Sequence, residues 1–368
     1  VRPDGSTAKP EQGGGRTSNQ RHVLAAAATG FRDFVGSQGG CADDVLKSVG
    51  VTRESLADRD LALDLGAYVR MMELAAQQTG KDSFGLWYGQ QFLPEDLGLI
   101  GAIAIASPNL REALENLARF FHYHQQATQV RFVSDGQLLQ LQYRITDGAI
   151  LDRRQDAELT LGMFANVIRH CLGAQWRPVE VHCEHPRPLS ARDHEAAFGA
   201  PVYFGQGMNA LHFESDILAA PMPFANLARL TELRAALVRI GRGPGVVSLV
   251  DQVKGEIRSR LPDGPPFVET IADSLGLPRW TFQRRLADQG LTFSEIVDLV
   301  RRELAERYVQ LSGVPVADIA DILGYSELSA FSRAFRRWFG HSPQAFRDAR
   351  RQDLPPVGAL PRPQSRRG

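Results

Sequence analysis

The chain has 368 residues, of which 43% are hydrophobic and 23% charged, and its 42 basic side chains balance 42 acidic ones. That composition is ordinary for a globular protein, and zero net charge excludes bulk electrostatics as a pointer to any partner. Three scattered cysteines (Cys41, Cys171 and Cys183) without a CxxC pair exclude a disulfide framework, and no apolar run reaches the roughly 18 residues of a membrane span.

Residues 1–20 lack both the apolar stretch of a signal peptide and any core-forming pattern, so a disordered tail is expected there. Residues 21–240 read as one α+β domain. "VLAAAATGFRDFVGSQGG" and "LDLGAYVRMMELAAQQTG" have helical spacing and stop at glycine. "NLREALENLARFFHYHQQA" is a stronger helix: Asn109 suits its N-cap, and Leu110, Leu114, Leu117 and Phe121 form an apolar stripe. "VRFVSDGQLLQLQYRI" alternates around Asp135-Gly136, a hairpin signal. A helix is expected over 154–172, followed by short strands in "PVEVHCEH", "PVYFG" and "NALHFES".

Several stretches in this half bear on chemistry. If a ligand pocket exists, Phe120, Tyr123 and His124 in "FFHYHQQ" are candidate effector-binding residues, although an aromatic helix end also suits a core. "HCEH", residues 182–185, invites a metal reading. Strand alternation sends His182 and Glu184 one way and Cys183 and His185 the other, so the four cannot converge and no metal is expected. "HEAAF" lacks the second histidine of a zinc protease helix. Without a phosphate-loop lysine or a nucleophile elbow, no cofactor and no enzymatic activity are expected. Residues 221–242 carry a leucine stripe (Leu227, Leu230, Leu233 and Leu237) suited to coupling and dimerisation, or to packing within its own domain.

"GRGPG", residues 241–245, reads as a linker, and from 246 to 350 the pattern is all-α. Two stretches there repeat. "VETIADSLGL" and "VADIADILGY" place Val268, Ile271, Ala272 and Leu275, and then Val316, Ile319, Ala320 and Leu323, on one helix face. Gly276 and Gly324 end each helix, where a left-handed residue costs least in glycine. A second helix follows each, which makes two helix-turn-helix units. Phe282 and Leu286 should point inward in the first, and Phe331, Ala334, Phe335 and Trp338 in the second. The opposite faces then hold Trp280, Thr281, Gln283 and Arg284, and Leu328, Ser329, Ser332, Arg333 and Arg336. Arginine can bond a guanine edge twice and glutamine an adenine edge, while an aromatic ring can touch a thymine methyl. The competing reading leaves the arginines merely solvated and packs Trp280 on a neighbour. Residues 294–311 read as a helix between the units, roughly 27 Å long, which could hold two reading helices about one duplex turn apart. From residue 251 onward there are 18 Arg and Lys against 15 Asp and Glu, so basic side chains must be sorted onto one surface. Residues 351–368 are expected to form a second disordered tail.

"IADSLGLPRWTFQRRLADQGLTF" and "IADILGYSELSAFSRAFRRWFGHSPQAFR" resemble the AraC/XylS family of bacterial transcription regulators. Gly324, Tyr325, Phe331, Phe335, Gly340, Pro343 and Phe346 stand where that family's signature has them. The resemblance implies an all-α double helix-turn-helix DNA-binding domain whose second helices enter successive major grooves. It implies contacts from Trp280, Gln283 and Arg284, and from Leu328, Ser329, Ala330 and Arg333. "DLGLIGAIAIASPNLREALENLARFFHYH" and "FGAPVYFGQGMNALHFESDILAAPMP" are similar to the arabinose-binding-like sensor domain of the branch that responds to ornithine or fatty-acid-like compounds. The expected partners are double-stranded promoter or operator DNA, a small-molecule effector, RNA polymerase and a second copy of the chain in a homodimer, all in the cytoplasm and without a membrane. Two rival readings are an N-terminal domain that binds a protein and no small ligand, and an enzyme domain fused to a DNA-binding one.

Overall fold

The computed structural model describes residues 21–135, 138–240, 247–311 and 313–353. The expected tail over 1–20, the linker over 241–245 and the end of the chain from 354 lie outside the described residues. Buried apolar side chains gather into two cores, one drawn from Val23 to Leu237 and the other from Val253 to Phe335.

The first half is α+β. The short strands β1 (His22–Leu24) and β2 (Ala62–Asp64) pair antiparallel. A five-stranded mixed sheet follows, built from β3 (Thr128–Asp135), β4 (Leu138–Ile145), β5 (Glu180–Cys183), β6 (Val202–Phe204) and β7 (Asn209–Glu214). Its spatial order is β3-β4-β7-β5-β6, with only β5 and β6 parallel. β3 and β4 pair as the expected hairpin, Asp135 opposite Leu138, with Gly136 itself outside the described residues. The helix Arg154–Leu172 matches its expected span and is buried on most of its surface. Leu110–His124 starts at Asn109, whose side chain accepts from the Glu112 amide at 2.9 Å.

The alanine-rich opening departs from expectation. In place of one helix, "VLAAAATGFRDF" supplies β1, a 3-10 turn at Ala25–Ala28 and a helix at Phe31–Ser37. Alanine is the best helix former, but tertiary contacts override so small a propensity: Ala25–Ala28 are buried and their amides are taken by the chain before β2, Ala25 N donating to Leu61 O and Ala26 N to Arg59 O. In the leucine-striped segment the helix is Leu227–Ile240; Leu230, Leu233 and Leu237 pack into the first core, while Leu227 is 66% exposed.

The second half is helical throughout its described residues. Leu249–Arg260 leads into Val268–Ser274 and Arg279–Ala287, then the strut Phe293–Gln310, then Val316–Ile322 and Leu328–Phe339, and finally Pro343–Asp353. The strut is held at its start by a capping box: Thr292 N donates to Glu295 Oε2 at 2.7 Å, and Glu295 N to Thr292 Oγ1 at 3.3 Å. Its Ile296, Val300, Leu304 and Tyr308 are buried in the second core.

Candidate nucleic-acid interface and its junction with the sensor half

Each helical pair turns at a left-handed glycine, Gly276 at φ +65° and Gly324 at φ +71°. After that turn the two copies part by one residue. Their first helices are offset by 48 positions, and their second helices, starting at Arg279 and Leu328, by 49. The structural equivalents are therefore Phe282 with Phe331 and Leu286 with Phe335, all four buried. On the outer face Trp280 matches Ser329, Gln283 matches Ser332, and Arg284 matches Arg333. The constant offset read from the first helices hides this shift, because it falls in the turn.

The outer faces are open. Trp280 is 67% exposed and Leu328 46%; Gln283, Arg284, Ser329, Arg333 and Arg336 are exposed, and Thr281 and Ser332 half-buried. The Arg284 guanidinium lies over the Trp280 ring at 4.5 Å, a cation–π contact that fixes both side chains against a common surface. Arg333 Nη1 donates to Ser329 Oγ at 3.3 Å. Among the described residues no carboxylate pairs with Arg284, Arg285, Arg333 or Arg336, whereas Arg279 is tied to Glu269 at 2.6 Å and Arg337 to Asp298 at 2.6 Å. The paired arginines brace the helices; the unpaired ones stay available for phosphates or base edges.

Bracing extends through the strut. Asp298 also accepts from Trp338 Nε1 at 2.9 Å, and Arg301 donates to the Leu323 and Gly324 carbonyls at 3.0 and 3.1 Å, closing the end of Val316–Ile322. Arg347, from the last helix, donates to Val309 and Val314 carbonyls. One helix thus grips the second unit by its turn, its second helix and its following segment.

Leu249–Arg260 belongs to the second core through Val253 and Ile257, yet its other face rests on the first half. The backbones meet closely: a Cβ on Gly255 would lie 2.4 Å from Thr146 O, and one on Gly148 would lie 2.7 Å from Asp251 O. Buried Arg144 pairs with Glu256 and donates to Ser259 Oγ at 2.7 Å. Arg258 donates to Leu151 O at 3.0 Å and lies 3.8 Å from Glu184. Glu184 is held by a two-point bond from Arg153 at 2.6 and 2.9 Å. Burial alone would raise the Glu184 carboxyl, but Arg153 and Arg258 hold it down at about 2.

A cleft of about 520 Å³ opens at this junction. The first half lines it with Glu73, Arg153 and Arg154, and the second half with Arg258, Arg307 and Tyr308. Burial pushes the Glu73 carboxyl up to about 7. Behind the cleft, Glu158 accepts from Arg154 at 2.6 Å and meets His194 at 2.8 Å and His185 at 3.3 Å. Burial works against its charge, yet Arg154 and the two histidines keep it ionised well below the usual carboxylate range. An arginine already on that carboxylate oxygen makes this group a buried ion cluster rather than a metal cradle.

The residues of "HCEH" do go separate ways: Glu184 to Arg153, His185 to Glu158, Cys183 into the first core, and His182 to Glu180. Phe120 and Tyr123 are half-buried, with Arg119 and Arg234 over the Phe120 ring at 5.4 and 5.7 Å. His124 is buried against Phe121, with neither ring nitrogen hydrogen-bonded, and burial lowers it to about 4. None of these three lines the junction cleft, whose residues come from segments too far apart in sequence to be grouped by inspection.

Comparison with known proteins matches residues 39–222 to the arabinose-binding domain of AraC transcription regulators and residues 271–349 to a helix-turn-helix domain. The HTH-type transcriptional regulator VirS of Mycobacterium tuberculosis is 30% identical over 297 residues, covering 78% of this chain and 85% of that one. The ornithine utilization regulator of Pseudomonas aeruginosa is 26% identical over 333 residues, covering 89% and 96%. Among solved structures, the transcriptional regulator CdpR from Pseudomonas aeruginosa matches with a TM-score of 0.39 at 21% identity, over 86% of this chain and 98% of that one.

Proposed function

The chain belongs to the AraC/XylS family of transcription regulators, and from that premise we propose that Trp280, Thr281, Gln283 and Arg284 read one major groove and Leu328, Ser329, Ser332, Arg333 and Arg336 the next. It is a sequence-specific DNA-binding regulator with an N-terminal effector-sensing domain. The observation that carries the assignment of contacts is the pair of open faces, each with an arginine free of any carboxylate, on helices clamped to one 18-residue strut. A strut of about 27 Å lets a single copy span about one turn of DNA. Arg284 and Arg333, at equivalent positions, have the reach for guanine edges; Leu328 and Ser329 suit thymine methyls and phosphates.

For the effector, the junction cleft is the site best placed to act on DNA binding, since the sensor and DNA-side halves both line it. Its walls carry charges of both signs, which suits an amino-acid-like zwitterion better than an acyl chain. Such a ligand acts by favouring one docking of Leu249–Arg260 over another. A second reading places the effector at Phe120, Tyr123 and His124, favoured by the two unpartnered nitrogens of buried His124. The regulator works on promoter DNA in the cytoplasm as a homodimer, with Phe224 and Leu227, 67% and 66% exposed, on the dimer face, and RNA polymerase as a further partner.

Selection of bound sequences from a random DNA pool with the full chain tests the first part. Two conserved segments centred about 10 base pairs apart are expected; one segment, or none, overturns the two-groove assignment. Thermal shift with amino acids and with fatty acids tests the second. Saturable stabilisation by an amino acid, lost in Arg154→Ala, is expected. Stabilisation that survives Arg154→Ala and disappears in His124→Leu moves the site to the second location, and stabilisation by neither class removes both.

A further inference from the structure

We propose that Glu180, His182 and His212 form a site for a divalent first-row transition ion on the face of the five-stranded sheet turned towards Leu249–Arg260. Glu180 and His182 are two residues apart on β5 and so share a face. The antiparallel register sets His212 of β7 directly opposite Glu180. The three donor atoms lie within 4.8 Å of one another. His182 Nε2 is 3.0 Å and His212 Nδ1 is 3.4 Å from the same carboxylate oxygen, Glu180 Oε1. Donors about 2.1 Å from a tetrahedral ion stand about 3.4 Å apart, so both spacings to the Glu180 oxygen are already near those of a filled shell.

The donor chemistry is selective. Two imidazoles and one carboxylate suit Zn²⁺, Co²⁺ or Ni²⁺ rather than Mg²⁺ or Ca²⁺. The rings of His182 and His212 stand 4.1 Å apart, and Tyr203 packs edge-on to His182 at 5.5 Å, which fixes the approach. Glu180 and His182 are only partly buried, so the ion keeps coordination positions open to a cavity of about 570 Å³. The guanidinium groups of Arg144 and Arg260 also line it, but both are paired with Glu256 and do not claim Glu180. Strand alternation within "HCEH" gives no hint of the site, because its third member comes from the neighbouring strand.

The far wall of this cavity is Ser259, Arg260 and Asp263, from the DNA-side half. An ion here shares its cavity with Arg144, which pairs with Glu256 across the junction, and so is placed to report metal availability to the same docking surface.

The test uses the full chain without an affinity tag, stripped with chelator and titrated with Co²⁺. A visible ligand-field band saturating at one equivalent and displaced by Zn²⁺ is expected. His182→Ala and Glu180→Gln, both at partly exposed positions and checked for folding by circular dichroism, should each weaken the apparent Kd by about a hundredfold or more. His341→Ala, in the exposed turn before Pro343–Asp353, should leave the titration unchanged. Absence of the band, or a titration unaffected by both site variants, overturns the assignment.

Discussion

At the residue scale, the weight falls on a few side chains whose neighbours fix them. Arg284 lies over the Trp280 ring, so under the proposed contact it meets DNA with part of its rotamer freedom already restricted. Arg284→Ala should weaken specific binding by about 1–3 kcal/mol and relax base preference at one position, and Arg333→Ala should do the same one groove away. Fluorescence anisotropy on the selected site and its single-base variants measures both; unchanged affinity and unchanged preference would remove either residue from the contact set. His124 offers a different test. Burial lowers it to about 4 from an ordinary 6.5, so the unfolded chain takes up a proton that the fold refuses. Stability is therefore lost as pH falls from about 6.5 towards 4. His124→Leu should remove that loss, gaining roughly 2 kcal/mol on wild type between pH 8 and pH 5 in urea unfolding. An equal effect of the variant at both pH values would show that the ring is not refused its proton.

At the element scale, the two helix-turn-helix units look alike in sequence and differ in their turns. Gly276 and Gly324 share a left-handed φ, and a side chain at either is strained. Only Gly324 is also crowded: a Cβ there would lie 2.6 Å from Leu261 O and 2.9 Å from Gly264 O, while nothing stands within 4 Å at Gly276. Gly276→Ala should cost about 1–2 kcal/mol and Gly324→Ala clearly more, read from chemical denaturation. Equal costs would mean that the backbone at Gly324 gives way. The repeated apolar faces made both units legible from sequence. The extra residue after Gly324 was not, because the spacing of one helix says nothing about where the next begins.

At the scale of the whole molecule, Leu249–Arg260 serves both cores, and its docking depends on a buried arginine. Arg144→Ala leaves Glu256 with Arg260 as a remaining partner, so the loss should fall near the lower end for a broken buried pair, about 3 kcal/mol. It should appear as an unfolding curve that separates into two transitions, one for each core. A single transition at reduced stability would mean that the halves depend on each other for folding. The leucine-striped helix Leu227–Ile240, which the sequence offered for coupling and dimerisation or for packing within its own domain, buries Leu230, Leu233 and Leu237 in the first core and leaves Leu227 exposed.

Local pattern alone determined the helix-turn-helix pair, the strut, the hairpin strands and the long buried helix, because each shows its periodicity within one window of sequence. It also determined which face of each reading helix is wet, since that face is what remains once Phe282, Leu286, Phe331 and Phe335 are turned inward. Tertiary structure alone decided that the alanine run at Ala25–Ala28 is not part of a long helix, that Glu158 gathers His185 and His194, and that Glu180, His182 and His212 converge. It also decided which surfaces of the two halves meet. These outcomes join residues more than a hundred positions apart, 112 for Arg144 and Glu256 and 115 for Arg144 and Ser259, and strand register and close backbone approach set them, neither of which leaves a periodic trace in the chain.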